Sequence, residues 1–302
     1  MKPILVVVTG PTASGKTILS IRLAKYFQTE ILSADARQFY RELRIGVGRP
    51  DPEQLREVPH HFIAHISIHE SYSAGAYERD ALALLDQLFA QHRVVILVGG
   101  SGLFIRAVTR GLDPLPSVSS VVTQQLQNTY QERGLAWLQQ ELRKLDPDYY
   151  KKVDLCNPRR LLRALAVCYA SGRPYSSFLR GQPKPRPFSI MKFAIRLSAD
   201  VLRKKINQRI DQMLEQGWLE EARALYPYRH LNALRTVGYP QLFQYLEGGC
   251  TWEKAVETIR IKTWQYARRQ LTWLRAEPDV RYIGPDDDAL IQTAVHHLTT
   301  GK

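Results

Sequence analysis

The sequence predicts an α/β fold, in which a P-loop core with a parallel sheet is flanked by helices and carries an all-helical insertion. Three observations support this prediction. The runs Leu5–Val8 and Val94–Val98 are continuously apolar, which is typical of strands buried on both faces of a parallel sheet. A glycine-containing turn and a helical pattern follow each run, as in folds that alternate strands and helices. From Thr123 to about Leu179, apolar residues recur at helical spacing without a strand-like stretch.

These patterns divide the chain into three segments. We predict the first part of the core over residues 1–112, the helical insertion over residues 113–188, and the rest of the core, with C-terminal basic helices, over residues 189–302. The proline-rich run 183–187 is predicted to connect the insertion to the core. Ligands of parallel sheets bind beyond the carboxyl ends of the strands, so functional residues are expected there.

Several further elements follow from local patterns. Amphipathic helices are predicted over residues 75–92, 201–216 and 254–275, and a short strand beginning at Glu30 is predicted to end at Asp35. In the last of these helices Trp264, Tyr266 and Trp273 occur at helical spacing. Such aromatic residues can stack on bases, but this spacing favours packing in the core.

The stretch Gly10–Thr17 fits the phosphate-loop pattern G-x-x-x-x-G-K-[ST]. The glycines allow a tight turn that aims backbone N–H groups inward, and the helix that follows adds its positive dipole end. Lys16 offers a mobile ammonium, and the hydroxyl of Thr17 is suited to binding Mg²⁺. We therefore predict a site for a diphosphate or for a nucleotide such as ATP. It consists of Gly10, Pro11, Thr12, Ala13, Ser14, Gly15, Lys16 and Thr17.

Composition narrows the class of protein. The 302 residues include 42 basic and 29 acidic side chains, a net charge of +13. This charge is typical of a protein with a nucleic-acid partner, and equally of a protein whose basic surface is only solvated. The basic excess is densest in the predicted insertion. The 3 cysteines are scattered along the chain. No apolar stretch is long enough for a membrane span. The predicted first strand begins close to the N-terminus, so we expect no signal peptide. We expect a cytoplasmic protein with no membrane partner.

The chemistry at the phosphate is a separate question. Nucleotide hydrolases and kinases usually place a metal-binding carboxylate at the end of a buried strand. Here Val94–Val98 ends in Gly99-Gly100-Ser101, without an acid, and Asp35 is the carboxylate predicted to lie at a core strand end. From its spacing alone, Asp35 is equally suited to be a metal ligand, a general base or a helix N-cap.

A series of motifs resembles the tRNA dimethylallyltransferase (tRNA isopentenyltransferase) family. The resemblance covers most of the chain, and the segments follow the order found in the family. They are Gly10–Thr17, Ser33-Ala34-Asp35, Gln38-Phe39-Tyr40, Pro59-His60-His61, Val98-Gly99-Gly100-Ser101-Gly102-Leu103, Asn157-Pro158-Arg159-Arg160, Thr236-Val237-Gly238-Tyr239, and Tyr266-Ala267-Arg268-Arg269-Gln270-Leu271-Thr272-Trp273.

The resemblance implies a reaction. Enzymes of this family transfer a dimethylallyl group from dimethylallyl diphosphate to the exocyclic amine of the adenine next to the anticodon, adenosine-37, and release diphosphate. By resemblance, Asp35, Ser101 and Arg209 are the catalytic residues: Asp35 is the base, Ser101 contacts the reacting nucleotide and Arg209 binds the diphosphate. Mg²⁺, held at Thr17, is the expected cofactor. The phosphate loop then stabilises a leaving group rather than a phosphoryl group in transfer.

The resemblance also implies a tRNA anticodon stem-loop as partner, and we expect the enzyme to act as a monomer. The residues expected to contact tRNA are Asp35, Ala36, Arg37, Gln38, Ser101, Thr123, Arg159, Arg160, Leu161, Leu162, Arg163, Arg235, Gly238, Tyr239, Arg268 and Arg269. The arginines on the predicted helix after Asn157 are expected to contact phosphates. The Gln38 amide is suited to an adenine edge.

The chain departs from the family pattern at several positions. Ala36 replaces a common serine, Ala64 an aspartate, and Val47-Gly48-Arg49 stands where the family usually has Thr-Ala-Lys. Other functions remain open at this point. They are an adenylate isopentenyltransferase acting on free AMP, ADP or ATP, a P-loop kinase or NTPase, and an RNA-binding protein in which the phosphate loop is only structural.

Overall fold

The computed structural model describes residues 2–300, with side chains through residue 297. Its contacts group the chain into two compact units. One unit, here called the sheet unit, comprises the residues up to Arg110 and those from Pro185 on. The other, here called the helical unit, is Gly111–Lys184.

The sheet unit is built on six parallel strands in the order β3-β2-β4-β1-β5-β6. This arrangement confirms the predicted α/β fold with a parallel sheet. The strands are β1 (Ile4–Thr9), β2 (Ile31–Ser33), β3 (His60–His61), β4 (Val94–Gly99), β5 (Ser189–Ile195) and β6 (Val280–Ile283).

The strands β1 and β4 form the centre of the sheet, in a register that pairs Ile4 with Val94 and Thr9 with Gly99. Alternate residues of each strand project to opposite faces, so the two strands feed two separate cores. Leu5 and Val7 pack into one core, and Ile4 and Val6 pack into the other. Because both faces are covered, an apolar residue is needed at every position, which explains the continuous apolar runs.

Helices cover both faces of this sheet. Those of the sheet unit are α1 (Lys16–Phe27), α2 (Pro52–Glu57), α3 (Ala74–Phe89), α4 (Gly102–Arg110), α8 (Ala199–Glu215), α9 (Trp218–Leu225), α10 (Tyr239–Leu246), α11 (Trp252–Ala276) and α12 (Asp288–Thr300). Side-chain caps fix several starting points: Ser73, Ser198 and Thr251 each accept a hydrogen bond from a backbone N–H of the first turn. None of the helices in the described part of the chain is long and apolar enough to span a membrane.

Two strands lie outside the sequence prediction. The strand β3 contains only His60 and His61, too few residues for a periodic pattern. The strand β6 lies at the sheet edge, and two of its four residues are exposed, which removes the apolar signal. The strand β2 also ends earlier than predicted, at Ser33, so Asp35 lies in the loop that follows.

The helical unit contains α5 (Ser120–Leu145), α6 (Pro147–Tyr150) and α7 (Pro158–Ser171). The helix α5 is interrupted at Gly134, whose φ of 71° and ψ of −170° are not helical. Asn157 caps α7 by accepting a hydrogen bond from the N–H of Arg160, and Pro158 follows at the first helical position. The core of this unit is formed by leucines from α5 and α7, among them Leu138, Leu142 and Leu161.

Candidate active site

The phosphate loop Gly10–Thr17 connects β1 to α1 at the carboxyl end of the sheet. A side chain at Gly10 would place its Cβ 2.9 Å from the hydroxyl of Ser14 and 3.2 Å from the carbonyl of Ile195, so only glycine fits there. Gly15, in the left-handed conformation, precedes the first turn of α1. The loop therefore presents the N–H groups at the start of α1 to a ligand, an arrangement suited to an anion.

Two cations flank this loop. The Lys16 ammonium donates a hydrogen bond to the carbonyl of Pro11, at 2.7 Å. Burial and the nearby Arg209 guanidinium lower the pKa of Lys16 to about 8, while the Asp35 carboxylate opposes this shift. Burial likewise lowers the pKa of Arg209, again against the effect of Asp35. Both cations are thus held in a partly dehydrated site, where their attraction for an anionic ligand is strong.

The Ser14 side chain also indicates that the phosphate loop binds an anionic ligand. Its side chain is buried, and its hydroxyl has no hydrogen-bond partner among the described residues. A buried hydroxyl without a partner is costly, so such a group in a phosphate loop indicates a ligand that accepts its hydrogen bond.

Asp35 and Ser101 lie in neighbouring loops, since β2 pairs with β4. The Ser101 hydroxyl accepts a hydrogen bond from the N–H of Ala36 at 3.1 Å, and its own N–H donates to the carbonyl of Ala34 at 3.3 Å. Asp35 accepts from the N–H of Arg37 at 3.1 Å, within a turn that does not continue as a helix. Asp35 therefore does not cap a helix, and two of its three predicted roles remain, metal ligand and general base.

Two residues of α11 complete the site, and neither was assigned to it from the sequence. Burial and the charge of Asp35 raise the pKa of the Tyr266 phenol, while a hydrogen bond with Ser101 acts in the opposite direction. Gln270 is buried; its Oε1 accepts from the N–H of Thr12 at 2.8 Å, and its Nε2 donates to the carbonyl of Gly100 at 2.9 Å. Gln270 thus joins the phosphate loop to the loop that carries Ser101.

The helical spacing of Trp264, Tyr266 and Trp273 in α11 predicts that all three side chains pack in the core. Trp273 does pack closely, since a Cβ at Gly102 would lie 2.2 Å from its ring. The Tyr266 side chain instead reaches the site, a placement that depends on where α11 crosses the sheet and leaves no local signal in the sequence.

The backbone carbonyl of Gly48 positions two further side chains of the site. Its carbonyl accepts hydrogen bonds from Nη2 of Arg209 at 3.1 Å and from Nε2 of Gln38 at 3.0 Å. The φ of Gly48 is +57°, and a Cβ there would lie 1.5 Å from Nη2 of Arg209. The glycine that replaces the usual alanine of the family therefore leaves the space that this guanidinium occupies.

The structure separates the predicted tRNA-contacting residues into groups. Asp35, Ala36, Arg37, Gln38 and Ser101 meet in the site just described. Elsewhere in the sheet unit, Arg235, Arg268 and Arg269 are exposed. Gly238 and Tyr239 are buried, and the Tyr239 phenol donates to Glu221 at 2.6 Å, so the Tyr239 side chain offers no surface to a partner.

The remaining predicted residues lie in the helical unit. Arg159, Arg160 and Arg163 are exposed on α7, and Thr123 is exposed on α5. Leu162 is half-buried. Leu161 belongs to the core of the unit, so its side chain is unavailable for a contact with RNA.

Comparisons with known proteins agree on one family. The family model described as IPP transferase matches residues 38–277. A tRNA dimethylallyltransferase of Christiangramia forsetii is 45% identical over 96% of both chains. The tRNA dimethylallyltransferase 1 of Bacteroides thetaiotaomicron is 45% identical over 96% of this chain and 94% of the relative.

Solved structures give the same result. The full-length tRNA isopentenylpyrophosphate transferase of Bacillus halodurans is 31% identical, with a TM-score of 0.71 over 99% of this chain and 96% of that chain. A eukaryotic dimethylallyltransferase described as acting on tRNA shares the fold, with a TM-score of 0.84 over 99% of this chain and 80% of that chain at 22% identity. The resemblance found in the sequence motifs is confirmed, and the chain belongs to the IPP transferase family.

Proposed function

We propose that this enzyme transfers a dimethylallyl group from dimethylallyl diphosphate to the exocyclic amine of adenosine-37 in tRNA. One observation carries the proposal: Asp35 is close enough to shift the pKa values of both Lys16 and Arg209. A candidate base therefore lies near two cations that are suited to bind a diphosphate. The names of the relatives, tRNA dimethylallyltransferases, supply the class of substrate.

The proposed reaction is an allylic substitution. The bond between the allylic carbon and the diphosphate oxygen breaks, and its electron pair leaves with the diphosphate. The adenine amine forms the new carbon–nitrogen bond, and the Asp35 carboxylate takes the proton that the amine loses. Lys16 and Arg209 stabilise the negative charge that develops on the departing diphosphate.

A divalent cation fits the same loop. The Thr17 hydroxyl stands in the first turn of α1, three residues after Ser14, whose buried hydroxyl has no hydrogen-bond partner in the described part of the chain. Thr17 would hold Mg²⁺ on the diphosphate, where the ion supplies positive charge to the leaving group. Mg²⁺ is therefore the proposed cofactor.

Ser101 and Gln38 have supporting roles in this proposal. The Ser101 hydroxyl lies between the Asp35 turn and the Tyr266 phenol, so it is placed to contact the nucleotide that enters the site. The backbone N–H of Gln38 donates to the Asp35 carbonyl, so the two residues share one turn. The Gln38 side-chain amide, now bonded to the carbonyl of Gly48, would turn to the adenine edge when the base enters. The target base leaves its stack to reach this interior position, as in other base-modifying enzymes.

The exposed arginines of α7 are proposed to bind phosphates of the anticodon stem-loop. Arg159, Arg160 and Arg163 are exposed, and no carboxylate pairs with them among the described residues. Such contacts position RNA without reading its sequence. The three cysteines are free thiols, in keeping with the reducing cytoplasm as the place of action. The enzyme is proposed to act as a monomer.

The other functions are less well supported. A kinase or NTPase needs a carboxylate for its metal at the end of a central strand, whereas β4 runs into Gly100-Ser101. The family match also argues against an RNA-binding protein with an inert phosphate loop. A free-nucleotide prenyltransferase would have no use for the exposed basic face of α7.

A single assay tests the proposal. The purified protein is incubated with dimethylallyl diphosphate, Mg²⁺ and either tRNA or AMP. The tRNA is then digested to oligonucleotides and to nucleosides, and the products are analysed by mass spectrometry. A dimethylallyl adenosine next to the anticodon, formed only with tRNA, is the expected product. A product formed only with AMP would show that the acceptor is a free nucleotide and not tRNA. In a parallel incubation with ATP and Mg²⁺, hydrolysis of ATP by a protein that shows no prenyl transfer would indicate an NTPase instead of a prenyltransferase.

A further inference from the structure

A carboxylate that the proposed reaction does not use lies beside the loop that carries Gly48. It belongs to Glu221, which is half-buried on α9. Its Oε2 accepts from the backbone N–H of Arg44 at 3.1 Å and of Ile45 at 2.8 Å, and its Oε1 accepts from that of Gly46 at 3.0 Å. Three consecutive N–H groups of the chain therefore converge on one carboxylate.

These hydrogen bonds are of a strong kind. Successive N–H groups of a turn can form a concave site for an anion, and hydrogen bonds to a charged acceptor are stronger than those between neutral groups. Here the anion is a side chain of the protein itself. Glu221 thus fixes the backbone of residues 44–46 to α9.

Two aromatic side chains hold the carboxylate and the loop together. The Tyr239 phenol donates to Oε1 of Glu221 at 2.6 Å. A Cβ at Gly46 would lie 2.1 Å from Nε1 of Trp218 and 2.6 Å from the Tyr239 oxygen, so only glycine lets the backbone come this close. The Tyr239 phenol therefore orients the carboxylate that holds this loop.

The backbone of the turn connects the fixed residues to Gly48. The N–H of Gly48 donates to the carbonyl of Ile45 at 2.8 Å, and the N–H of Arg49 donates to the carbonyl of Arg44 at 3.1 Å. The Gly48 carbonyl in turn accepts from Nη2 of Arg209. A displacement of residues 44–46 would therefore move the carbonyl that orients the Arg209 guanidinium.

We propose that Glu221 is a positioning residue for Arg209. Through the turn 44–49 it fixes the Gly48 carbonyl, which holds the guanidinium in the direction needed to bind a diphosphate. An ordered side chain binds an anion more tightly than one that must be ordered on binding. This inference rests on the proposed function, because it takes Arg209 to be a ligand of the diphosphate.

The experiment compares Glu221→Gln with the matched control Glu220→Gln. The two glutamates are neighbours on α9, so both variants lose one negative charge in the same region, but Glu220 is exposed. The amide of Glu221→Gln keeps one acceptor oxygen and cannot hold all four donors. Its affinity for inorganic diphosphate with Mg²⁺, measured by calorimetry, should be about fivefold lower. Its affinity for tRNA should be unchanged, and Glu220→Gln should match the wild type in both.

The sign of this effect separates positioning from simple electrostatics. Removal of a negative charge near the site would by itself raise the affinity for an anion, whereas loss of positioning lowers it. A diphosphate affinity of Glu221→Gln that equals or exceeds that of Glu220→Gln would overturn the proposal.

A double-variant cycle separates positioning from a general loss of structure. In the background Arg209→Gln, the further change Glu221→Gln should alter the diphosphate affinity less than about twofold, because the group through which Glu221 acts is gone. The same loss of about fivefold in both backgrounds would overturn the proposal.

Glu221→Asp provides a second variant that keeps the charge and is therefore expected to fold even if the amide variant does not. Its carboxylate is one methylene group shorter and cannot reach all three N–H groups. The diphosphate affinity should fall about two- to threefold, and again only when Arg209 is present. A wild-type affinity in Glu221→Asp would overturn the dependence on the position of the carboxylate.

The two proposals can fail separately, since these measurements concern binding and need no prenyl transfer. If the cycle shows the coupling of Glu221 to Arg209 but tRNA yields no prenylated adenosine, the proposed reaction fails and the positioning role stands. If adenosine is prenylated and Glu221→Gln binds diphosphate as well as Glu220→Gln does, the reaction stands and the positioning role fails.

Discussion

The phosphate-loop site and the basic face of α7 both carry positive charge, yet they hold it in opposite ways. Lys16 and Arg209 are half-buried near Asp35, and each donates a hydrogen bond to a backbone carbonyl, Lys16 to Pro11 and Arg209 to Gly48. Arg159, Arg160 and Arg163 are exposed to solvent. Charges fixed in a dehydrated site act strongly on one small anion, whereas exposed charges act weakly and in a salt-dependent way on a large one.

The difference suggests how the chain divides its work. A leaving diphosphate needs charges that are already in place when the bond breaks. A folded RNA needs many replaceable contacts that guide it into position. Substitutions in the buried site should therefore reduce turnover or diphosphate affinity steeply, and substitutions on α7 should change tRNA affinity and its salt dependence.

The largest effect is expected for Asp35→Asn. Without a general base, turnover should fall by about two to four orders of magnitude, while tRNA binding stays nearly normal. Single-turnover assays with saturating tRNA measure the effect. Asp86→Asn, an exposed change on α3, is the control and should be silent. Near-normal turnover of Asp35→Asn would remove Asp35 from the role of base.

Lys16 should make diphosphate binding depend on pH. Its pKa of about 8 means that the free enzyme loses this charge as the pH rises through that value. The KM for dimethylallyl diphosphate should therefore be constant below pH 8 and rise by up to about tenfold per pH unit above it, because the bound diphosphate favours the protonated form.

The variant Lys16→Arg provides the control for this profile. Arginine keeps its charge throughout this range, so the rise of KM with pH should disappear even if the geometry of arginine raises the value overall. A profile in Lys16→Arg that matches the wild type would assign the pH dependence to another group. Lys16→Ala should lower kcat/KM by about 10- to 100-fold at neutral pH, as expected for the loss of a hydrogen bond to a charged group.

The triple variant Arg159→Gln/Arg160→Gln/Arg163→Gln tests the exposed side of the comparison. Affinity for tRNA should fall about tenfold near physiological salt, and the log–log salt slope should decrease by roughly 2 to 2.7, from 0.7 to 0.9 per lost contact. Transfer to a saturating short stem-loop should survive. The matched triple Arg133→Gln/Lys151→Gln/Lys152→Gln removes three exposed charges from the same unit. Equal effects of the two triples would show that only the net charge matters.

The smallest effect is expected for Gly48→Ala, which disturbs the half-buried Arg209 guanidinium without removing it. The Cβ of an alanine at this position would lie only 1.5 Å from Nη2 of Arg209, so it would displace the guanidinium. The affinity for inorganic diphosphate, measured by calorimetry, should fall about three- to fivefold, as an imperfectly placed charge loses part of its contact.

Gly248→Ala is the control for this change. Gly248 also has a positive φ, of +74°, but no atom lies within 4 Å of its Cβ position. Both variants therefore share the backbone strain, and only the first meets the guanidinium. If both lower the affinity equally, strain rather than the placement of Arg209 explains the effect.

The sequence by itself determined the two central strands of the sheet and the position of the phosphate loop. The runs that became β1 and β4 had to be apolar throughout because helices cover both faces, and the phosphate loop is a local motif whose spacing fixes its geometry. The ordered motifs also identified the family. These features could be predicted because each depends on residues close together in the chain.

The tertiary structure decided what no local pattern contains. It placed Gln270 between Thr12 and Gly100, each of which is more than 160 residues away from Gln270 in the sequence. It also placed the Tyr266 side chain near Ser101 rather than in the core. It also buried Tyr239 and Leu161, which the motifs had suggested for contacts with tRNA. Helical periodicity shows which side chains share a face, but the neighbour that this face meets is set by the packing of distant elements.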